Sequence, residues 1–378
     1  MKNFILNILI LLLFNTSIVF ASYIDTNAET AVVIDSDSGK ILFAKDKDKK
    51  TYPASMTKIM TVLIVFEKLD NETLTLDDKF LVSNRAWKER EGSSMFVEVD
   101  TEIRVEDLLR GVIVQSGNDA CIVIAENIAG TEKAFSSMMT EKAKEIGLKN
   151  TNFTNSTGMY DSKHYSTVYD IALLSKYLIN NYPEYYHLFS ETEFEWSAIK
   201  QKNRNPLLYK NMGVDGLKTG HIKKSGYGLA ASALKNNRRI ISVANGFKSK
   251  QKRSQGSARL LTWAFREFDN ITLFKKNSEV GFIKIEQANE RESPVTTLSD
   301  IVITVEKYKK EAVNYEIVVN KDVSAPIKRG SIVAQLKVNV PKDEPLYFAL
   351  ISVNDVSEAN FLMRFFYMIY NFILGLFI

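Results

Sequence analysis

Ser55 and Lys58 stand three residues apart in the stretch TYPASMTKIM, just behind a proline and at the start of an apolar run. On a helix, positions three apart share a face, so the lysine Nζ can approach the serine Oγ. Burial of such a helix start would lower the lysine pKa and leave a neutral amine to act as base for the hydroxyl. The helix N-terminus would also stabilise negative charge on an attacked carbonyl oxygen. The spacing therefore predicts a serine nucleophile, while a helix start with a surface lysine is the simpler alternative.

Two further stretches carry residues that suit the same chemistry. The first runs from Ser116 to Asn118, in a break between two predicted helices, where a hydroxyl and an amide can relay a proton and orient a substrate. The second runs from Lys218 to Gly220 on a predicted edge strand, where an extended peptide can add hydrogen bonds. Each stretch alone is a weak signal. The three in this order, each in a suitable structural context, form a strong one.

With the motifs SMTK, SGN and KTGH, the chain resembles the D-alanyl-D-alanine carboxypeptidases among the low-molecular-mass penicillin-binding proteins, serine-type enzymes that trim peptidoglycan. The stretches GSSMF, GVDGLKTGH and RLLTWAF extend the resemblance, which spans almost the whole chain. It implies a penicillin-binding or β-lactamase-like catalytic fold. It also implies removal of the terminal D-alanine from stem peptides ending in D-Ala-D-Ala, and covalent inhibition by β-lactam antibiotics. No metal and no organic cofactor are implied.

The resemblance implies four catalytic residues. Ser55 is expected to be the acylated nucleophile and Lys58 its base, with Ser116 and Asn118 assisting proton transfer and orientation. The backbone N–H groups of Ser55 and His221 are expected to form the oxyanion hole, so that His221 acts through its main chain.

The resemblance also implies a site for the substrate's terminal carboxylate. Lys218 and Thr219 are expected to hold this group, and Gly220 lets the substrate backbone come close. Arg204 lies upstream of Lys218 much as a family arginine does, one residue nearer than in the commonest family form, and is expected to help. In the loop NFTNSTGM, Thr157 stands where some relatives carry a histidine, so we assign this loop no catalytic role.

Other chemistries fit the sequence less well. A Ser-His-Asp hydrolase would need a G-x-S-x-G elbow, which is absent, and the three histidines lie in no triad or zinc-binding spacing. A β-lactamase would need a glutamate base for deacylation, and none is evident. A catalytically silent scaffold that binds peptidoglycan is a further alternative, as is a different balance of carboxypeptidase, endopeptidase and transpeptidase activity.

The elements that would position these residues indicate an α+β fold. Two strands flank a turn at Asp37 to Gly39, an almost wholly apolar helix follows Pro53 to about Leu69, and a meander of strands begins near 214. Further helices are predicted at about 104–114, 118–129, 132–146 and 167–180, with a last helix ending near 269. This order predicts a catalytic domain at 22–270 built from an antiparallel sheet flanked by helices.

The remaining residues form two further predicted units. Short alternating segments separated by turn residues predict a small β-sandwich at 271–352. Residues 361–378 carry one charge, Arg364, and are apolar except for a narrow polar stripe through Arg364, Tyr367 and Asn371. This pattern predicts an amphipathic helix at 357–378 that lies on a membrane. A helix packed into the β domain and a short spanning helix are the alternatives.

The N-terminus predicts export. Lys2 is followed by an apolar run and then by Ala21, which predicts a signal peptide at residues 1–21, with a retained N-terminal anchor as the alternative. Together with the C-terminal helix, this predicts a location on the periplasmic face of the inner membrane. Cys121 is the single cysteine, so no intrachain disulfide can form. The net charge of +4 over 378 residues argues against nucleic acid as the main partner.

Overall fold

The computed structural model describes residues 24–88, 91–286, 288–290, 292–321 and 323–360. The strands are β1 Thr30–Asp35, β2 Ile41–Lys45, β3 Lys79–Leu81, β4 Glu102–Arg104, β5 Glu193–Trp196, β6 Ile199–Lys202, β7 Val214–Ile222, β8 Gly226–Lys235, β9 Arg238–Phe247, β10 Phe268–Phe274, β11 Glu279–Lys284, β12 Glu292–Thr297, β13 Ile301–Glu306, β14 Asn314–Val319, β15 Ile332–Asn339 and β16 Leu346–Ser352. The helices are α1 Lys58–Asp70, α2 Asn84–Lys88, α3 Val105–Arg110, α4 Asn118–Ala129, α5 Glu132–Glu145, α6 Val168–Asn181, α7 Pro183–Tyr186 and α8 Lys250–Glu267.

A five-stranded sheet in the order β2-β1-β9-β8-β7 forms the centre of the catalytic half. Every pairing in it is antiparallel. Successive side chains of β1 alternate between the two faces: Val32 and Ile34 join the core that contains α1 and α4, while Ala31 and Val33 join the core beneath α8. The sheet is thus covered by helices on both faces, which confirms the predicted fold class.

Strand β7 is an edge of this sheet, because it pairs with β8 alone in the strand order. Helix α1 is buried from Lys58 through Phe66 without interruption, which explains why its sequence is apolar on every side. The chain therefore brings a central helix and a free strand edge into one half of the molecule.

The start of α1 differs from the expectation of one continuous helix after Pro53. Residues Ala54–Thr57 form a 3₁₀ turn, which we call the serine turn, and the α-helix begins only at Lys58. A 3₁₀ turn has three residues per turn, so residues three apart lie directly above one another. This geometry aligns Ser55 with Lys58 more closely than an α-helix would.

Two short antiparallel strand pairs, β3 with β4 and β5 with β6, are not predicted by the sequence. Their strands have three or four residues each, too short for an alternating pattern to be distinguished from a loop. The helix expected at 104–114 divides into α3 and a π-helical turn at Gly111–Gln115. That turn leads straight into the Ser116 segment.

The described residues between Phe268 and Asn360 form a β unit with one 3₁₀ turn, Lys307–Ala312. It has a two-stranded sheet, β10 with β13, and a five-stranded sheet in the order β11-β12-β16-β15-β14, with apolar side chains between them. Strand β10 begins at Phe268, so regular strand structure starts slightly before the predicted boundary at 271. Strand β12 was missed because its sequence contains a proline.

A buried ion pair lies where the two halves meet. Arg238 Nε donates to Asp35 Oδ2 at 2.8 Å, and Arg238 Nη1 donates to the Phe268 carbonyl at 2.6 Å. Asn270 Nδ2 donates to Asp35 Oδ1 at 3.2 Å, and Thr304 Oγ1 donates to Asn270 Oδ1 at 2.7 Å. The Asp35 carboxylate therefore connects the central sheet to the first strands of the β unit.

The predicted amphipathic segment at 357–378 falls mostly outside the described residues. Its first four residues, 357–360, are not helical, and Glu358 forms a β-bridge with Ala288, so the predicted start at 357 is wrong. A helix long and apolar enough to cross a membrane is not found within the described ranges.

We expect Asp35→Asn to lower the free energy of unfolding by about 3 kcal/mol, because it leaves the Arg238 charge buried without its counter-ion. Asp37→Asn, on the exposed side of the same turn, is the matched control and should cost less than about 1 kcal/mol. Urea denaturation followed by tryptophan fluorescence measures this, since Trp87, Trp196 and Trp263 all lie in the catalytic half. Equal losses in the two variants would contradict the assignment.

Candidate active site

Ser55 and Lys58 meet at the start of α1. Lys58 Nζ lies 3.3 Å from Ser55 Oγ, and the Lys58 side chain is fully buried. Burial lowers the pKa of Lys58 below the ordinary lysine value, and the Arg204 charge lowers it further. The alternative of a surface lysine is therefore excluded.

The other contacts of Lys58 favour an uncharged amine. Its Nζ donates to Asn118 Oδ1 at 2.7 Å and to the Thr157 carbonyl at 2.6 Å. Both of these oxygens can only accept, whereas the Ser55 hydroxyl can also donate. A neutral amine has two N–H bonds for the two short contacts and one lone pair left for the serine proton. The three partners thus orient Lys58 as a base toward Ser55.

The Thr157 contact corrects the assignment of no catalytic role to its loop. Gly158 has a φ of +83°, and a Cβ at this position would lie 1.9 Å from the Ala54 carbonyl oxygen. Only glycine allows the loop to approach the serine turn this closely. The contact to Lys58 uses a backbone carbonyl, which no side-chain pattern could have indicated.

His164 connects the same loop to the serine turn. Thr154 N donates to His164 Nδ1 at 3.2 Å, so the proton is assigned to Nε2, which lies 2.8 Å from Thr57 Oγ1. Burial lowers the pKa of His164 to about 4, which keeps the ring neutral. The residue ties the loop to the serine turn and forms no Ser-His-Asp triad.

Ser116 links the second motif to the third. Lys218 Nζ donates to Ser116 Oγ at 2.9 Å, and both side chains are buried. Ser116 has a φ of 63°, in the left-handed region that non-glycine residues seldom adopt and that often marks a functional position. Burial, followed by the charge of Lys58, lowers the pKa of Lys218 well below its ordinary value. The structure thus brings together two buried lysines, each bound to a serine.

Strand β7 lies along the other side of the serine turn. A Cβ at Gly220 would be 2.6 Å from the Pro53 carbonyl oxygen, so glycine allows this approach as well. Thr219 is buried next to Lys218, and the exposed His221 ring stacks on Tyr227 with a centroid distance of 3.9 Å. The third motif therefore lies on a free strand edge beside Ser55.

Arg204, which is predicted to help hold the substrate carboxylate, contacts the loop that carries Ser93. Its Nη1 donates to Ser93 Oγ, in the loop that carries the GSSMF stretch. Its positive charge contributes to the lowered pKa of both Lys58 and Lys218, after burial as the larger cause. This places Arg204 within electrostatic reach of both buried lysines.

Arg253 is a candidate that the sequence did not reveal. It lies on α8, is only 7% exposed, and its Nε has no hydrogen-bond partner among the described residues. Its guanidinium is 5.9 Å from the centre of the Tyr227 ring, and its charge lowers the pKa of Lys218 after burial and the nearer cations. Burial lowers the pKa of Arg253 itself to about 10. A buried guanidinium with a free donor near Lys218 is suited to an anionic substrate group.

Asp119 holds the loop at residues 94–97 next to Asn118. Its carboxylate accepts from Ser94 Oγ at 2.6 Å and from the backbone N–H groups of Met95, Phe96 and Val97 at 2.8, 2.8 and 3.2 Å. Two carbonyl oxygens of the same loop accept hydrogen bonds from Asn118. Ser93 O accepts from its backbone N–H at 2.7 Å, and Glu91 O accepts from its Nδ2 at 2.8 Å. Because Nδ2 is held there, Oδ1 points to Lys58. Asp119 thus orients a residue that it does not itself hydrogen-bond.

Comparison with known proteins agrees with this arrangement. A family model for D-alanyl-D-alanine carboxypeptidases matches residues 17–249, and a model for the C-terminal domain of penicillin-binding protein 5 matches residues 268–358. The chain is 36% identical over 339 residues to the D-alanyl-D-alanine carboxypeptidase DacA of Haemophilus influenzae, covering 88% of this chain and 86% of that protein.

Solved structures show the same relationship. Penicillin-binding protein 5 from Haemophilus influenzae gives a TM-score of 0.85 at 34% identity, covering 89% of this chain and 99% of that one. Penicillin-binding protein D2 of Listeria monocytogenes, in an ampicillin-bound form, gives 0.59 at 27% identity over 64% of this chain and 99% of that one.

A serine paired with a buried lysine, beside the free edge of a helix-covered antiparallel sheet, defines a penicillin-binding serine hydrolase. The chain belongs to the D-alanyl-D-alanine carboxypeptidase family. The family, the fold and the enzyme class predicted from the sequence, a serine-type D-Ala-D-Ala carboxypeptidase, are thereby confirmed.

We expect Asp119→Asn to slow acylation of the enzyme by penicillin about 10- to 100-fold, since an amide NH₂ replaces an acceptor that faces N–H donors. Stopped-flow acylation, with hydrogen exchange of residues 91–97, measures the loss and the expected loosening of the loop. Asp170→Asn is the matched control: this buried carboxylate likewise accepts from a backbone N–H and a hydroxyl, at Asn150 and Thr151. Unchanged acylation in Asp119→Asn would show that the loop does not depend on this carboxylate.

Proposed function

We propose that this chain removes the terminal D-alanine from peptidoglycan stem peptides ending in D-Ala-D-Ala, through an acyl-enzyme on Ser55. The observation that carries this proposal is the buried Lys58, whose two short hydrogen bonds leave its third direction facing Ser55 Oγ. A neutral amine in that position is a competent general base.

In the first step, Lys58 Nζ takes the Ser55 proton while Oγ attacks the carbonyl carbon between the two D-alanines. The backbone N–H groups of Ser55 and His221 are assigned to the developing oxyanion. The new C–O bond forms and the peptide C–N bond breaks. The leaving amine receives the proton that Lys58 took from Ser55, passed on through the Ser116 hydroxyl, which Lys218 holds at 2.9 Å. Lys58 is therefore neutral again in the acyl-enzyme.

The terminal carboxylate of the leaving D-alanine needs a positive site at the same end of the cleft. We assign it to Lys218 and Thr219, with Arg253 as a second cation and Arg204 at the opposite wall. The Nε of Arg253 has no acceptor in the described part of the chain, which supports its inclusion, because a buried donor without an acceptor is costly until an anion binds. Gly220 lets the substrate backbone lie against the strand.

In the second step, water attacks the ester while the neutral Lys58 accepts the water proton. The C–O bond to Ser55 then breaks as Lys58 returns a proton to Oγ. The acceptors around Lys58 Nζ within the described residues are an amide oxygen, a backbone carbonyl and a hydroxyl, with no carboxylate among them. This set lacks the additional glutamate base that fast deacylation of a β-lactam requires. It supports a carboxypeptidase that β-lactams inhibit over a β-lactamase.

We also propose that the enzyme works outside the cytoplasm, on the periplasmic face of the inner membrane, anchored peripherally by its C-terminus. The support is in the sequence: residues 1–21 fit a signal peptide and 361–378 are apolar with one charge, Arg364. Peptidoglycan lies in that compartment, so the location agrees with the proposed substrate.

We expect penicillin to leave a covalent adduct on the tryptic peptide that contains Ser55, and D-Ala-D-Ala peptides to release free D-alanine. Ser55→Ala should lose the adduct and at least about 10³-fold of the D-alanine release, because Lys58 contacts no other hydroxyl among the described residues. The control Ser137→Ala removes an exposed hydroxyl on α5 and should retain both activities. An adduct that persists in Ser55→Ala would refute the assignment of the nucleophile.

We expect the full chain to sediment with membranes, and a chain that ends at Asn360 to be released into the soluble periplasmic fraction. Cell fractionation with an antibody to the catalytic half measures this. A high-salt wash tests for attachment by charge alone, and release of the full chain by that wash would exclude an apolar anchor. Equal membrane association of the two chains would place the anchor elsewhere.

A further inference from the structure

The direction of β7 determines where the rest of a bound peptide must go. The carboxylate end of the substrate lies at Lys218 and Thr219 in the proposed function, and the oxyanion site at His221 follows further along the strand. A peptide that runs from His221 back to Lys218 in its own N-to-C direction is antiparallel to β7. Its upstream residues therefore pass Ile222 and reach the turn at Lys223 to Ser225, about 3.3 Å per residue.

Two walls of the cleft, the loop at Gly158 and strand β7 at Gly220, converge at that turn. Gly158 packs against the Ala54 carbonyl from one side of the serine turn, and Gly220 packs against the Pro53 carbonyl from the other. Two residues beyond Gly158 the loop reaches Tyr160, and four residues beyond Gly220 the strand reaches Lys224. The two walls are joined at these two residues.

The joining contact, which we call the Tyr160–Lys224 bridge, consists of the Lys224 ammonium group and the Tyr160 side chain, whose ring in turn packs on Tyr52. Lys224 Nζ donates to Tyr160 OH at 2.9 Å and lies 4.5 Å from the centre of the Tyr160 ring. The rings of Tyr52 and Tyr160 meet edge to face at 5.0 Å. Tyr160 is 46% exposed, so the bridge presents an aromatic face and a cation at the upstream end of the cleft.

We propose that the Tyr160–Lys224 bridge is a subsite for a carboxylate carried by the stem peptide within about three residues upstream of the D-Ala-D-Ala unit. This inference rests on the proposed function and adds a substrate preference to it: acidic donor peptides are cleaved faster than neutral ones.

The hydrogen-bonding capacity of the bridge suits a carboxylate. An ammonium group has three donors, and Lys224 uses one of them on Tyr160, so two remain for a ligand. The Tyr160 oxygen accepts that bond and can still donate its own proton. One carboxylate can therefore accept from the lysine and the phenol together, while the exposed Tyr160 ring packs on the aliphatic part of the peptide.

The charges around the bridge also favour an anion. Lys223 and Lys224 give the turn two positive charges, against one carboxylate on the loop, Asp161, which follows Tyr160 and opposes an anion. The contact with Lys224 lowers the pKa of the Tyr160 hydroxyl, which makes it a better hydrogen-bond donor. The subsite is open to solvent, so the preference it produces should be moderate and should weaken with added salt.

The test compares isosteric peptides that differ in one charge. The probes are N-acetyl-Glu-D-Ala-D-Ala and N-acetyl-Gln-D-Ala-D-Ala, with a second pair in which one alanine separates the Glu or Gln from the D-Ala-D-Ala unit. The measured quantity is the ratio of kcat/KM for D-alanine release, Glu over Gln. We expect about three- to tenfold in favour of Glu for at least one pair in the unaltered enzyme, falling in 0.5 M salt.

Lys224→Glu should lower that ratio about tenfold and bring it to or below one, and Tyr160→Phe should lower it less. The matched control is Lys235→Glu, the same charge change at the opposite end of β8, which should leave the ratio unchanged. A ratio near one for both pairs in the unaltered enzyme, or a ratio insensitive to Lys224→Glu, would overturn the subsite. Absence of D-alanine release from every probe would instead overturn the proposed function.

Discussion

The catalytic half is built around the burial of one amine. Removing an ammonium ion from water costs several kcal/mol even after the protein relaxes, and that cost is avoided when the amine is uncharged. Lys58 is fully buried, yet all three directions of its Nζ have a polar partner. The group is therefore stable in the protein and still basic toward Ser55. Helix α1, apolar on every side, is the element that carries it into the core.

This requirement explains why the site is assembled from distant segments. The acceptors for Lys58 come from positions 60 and 99 residues further along the chain, at Asn118 and Thr157. Each is held by its own support: Asn118 by the loop that Asp119 binds, and Thr157 by the loop that His164 ties to the serine turn. Two glycines, Gly158 and Gly220, let backbone approach Pro53 and Ala54 from both sides. Small residues and buried polar groups therefore determine the shape of the cleft as much as the catalytic side chains do.

The all-β half is joined to this machinery through Asp35, Arg238 and Asn270, at the end of the central sheet where β8 turns into β9. The β7–β8 turn, which carries Lys224, lies at the other end of the same strands. The all-β half is thus attached at one end of the central sheet, and the upstream end of the cleft lies at the other end.

The sequence alone predicted the site residues whose side chains lie in short motifs. Ser55, Lys58, Ser116, Asn118 and Lys218 could be found this way because local spacing places each on a helix start, a break or a strand. Periodicity over ten or more residues also predicted α1, α4, α5 and the β7–β9 meander closely, since long segments give a clear pattern.

The tertiary structure decided what local pattern cannot encode. The Thr157 carbonyl belongs to a backbone group that every residue has. Arg253 lies on α8, far along the chain, and its burial without a partner for Nε depends on how that helix packs beneath β8. The three-residue strands β3 and β4 are too short to show a period. In each case the deciding quantity is a distance between residues remote in sequence, which is set by packing and is not written into any one segment.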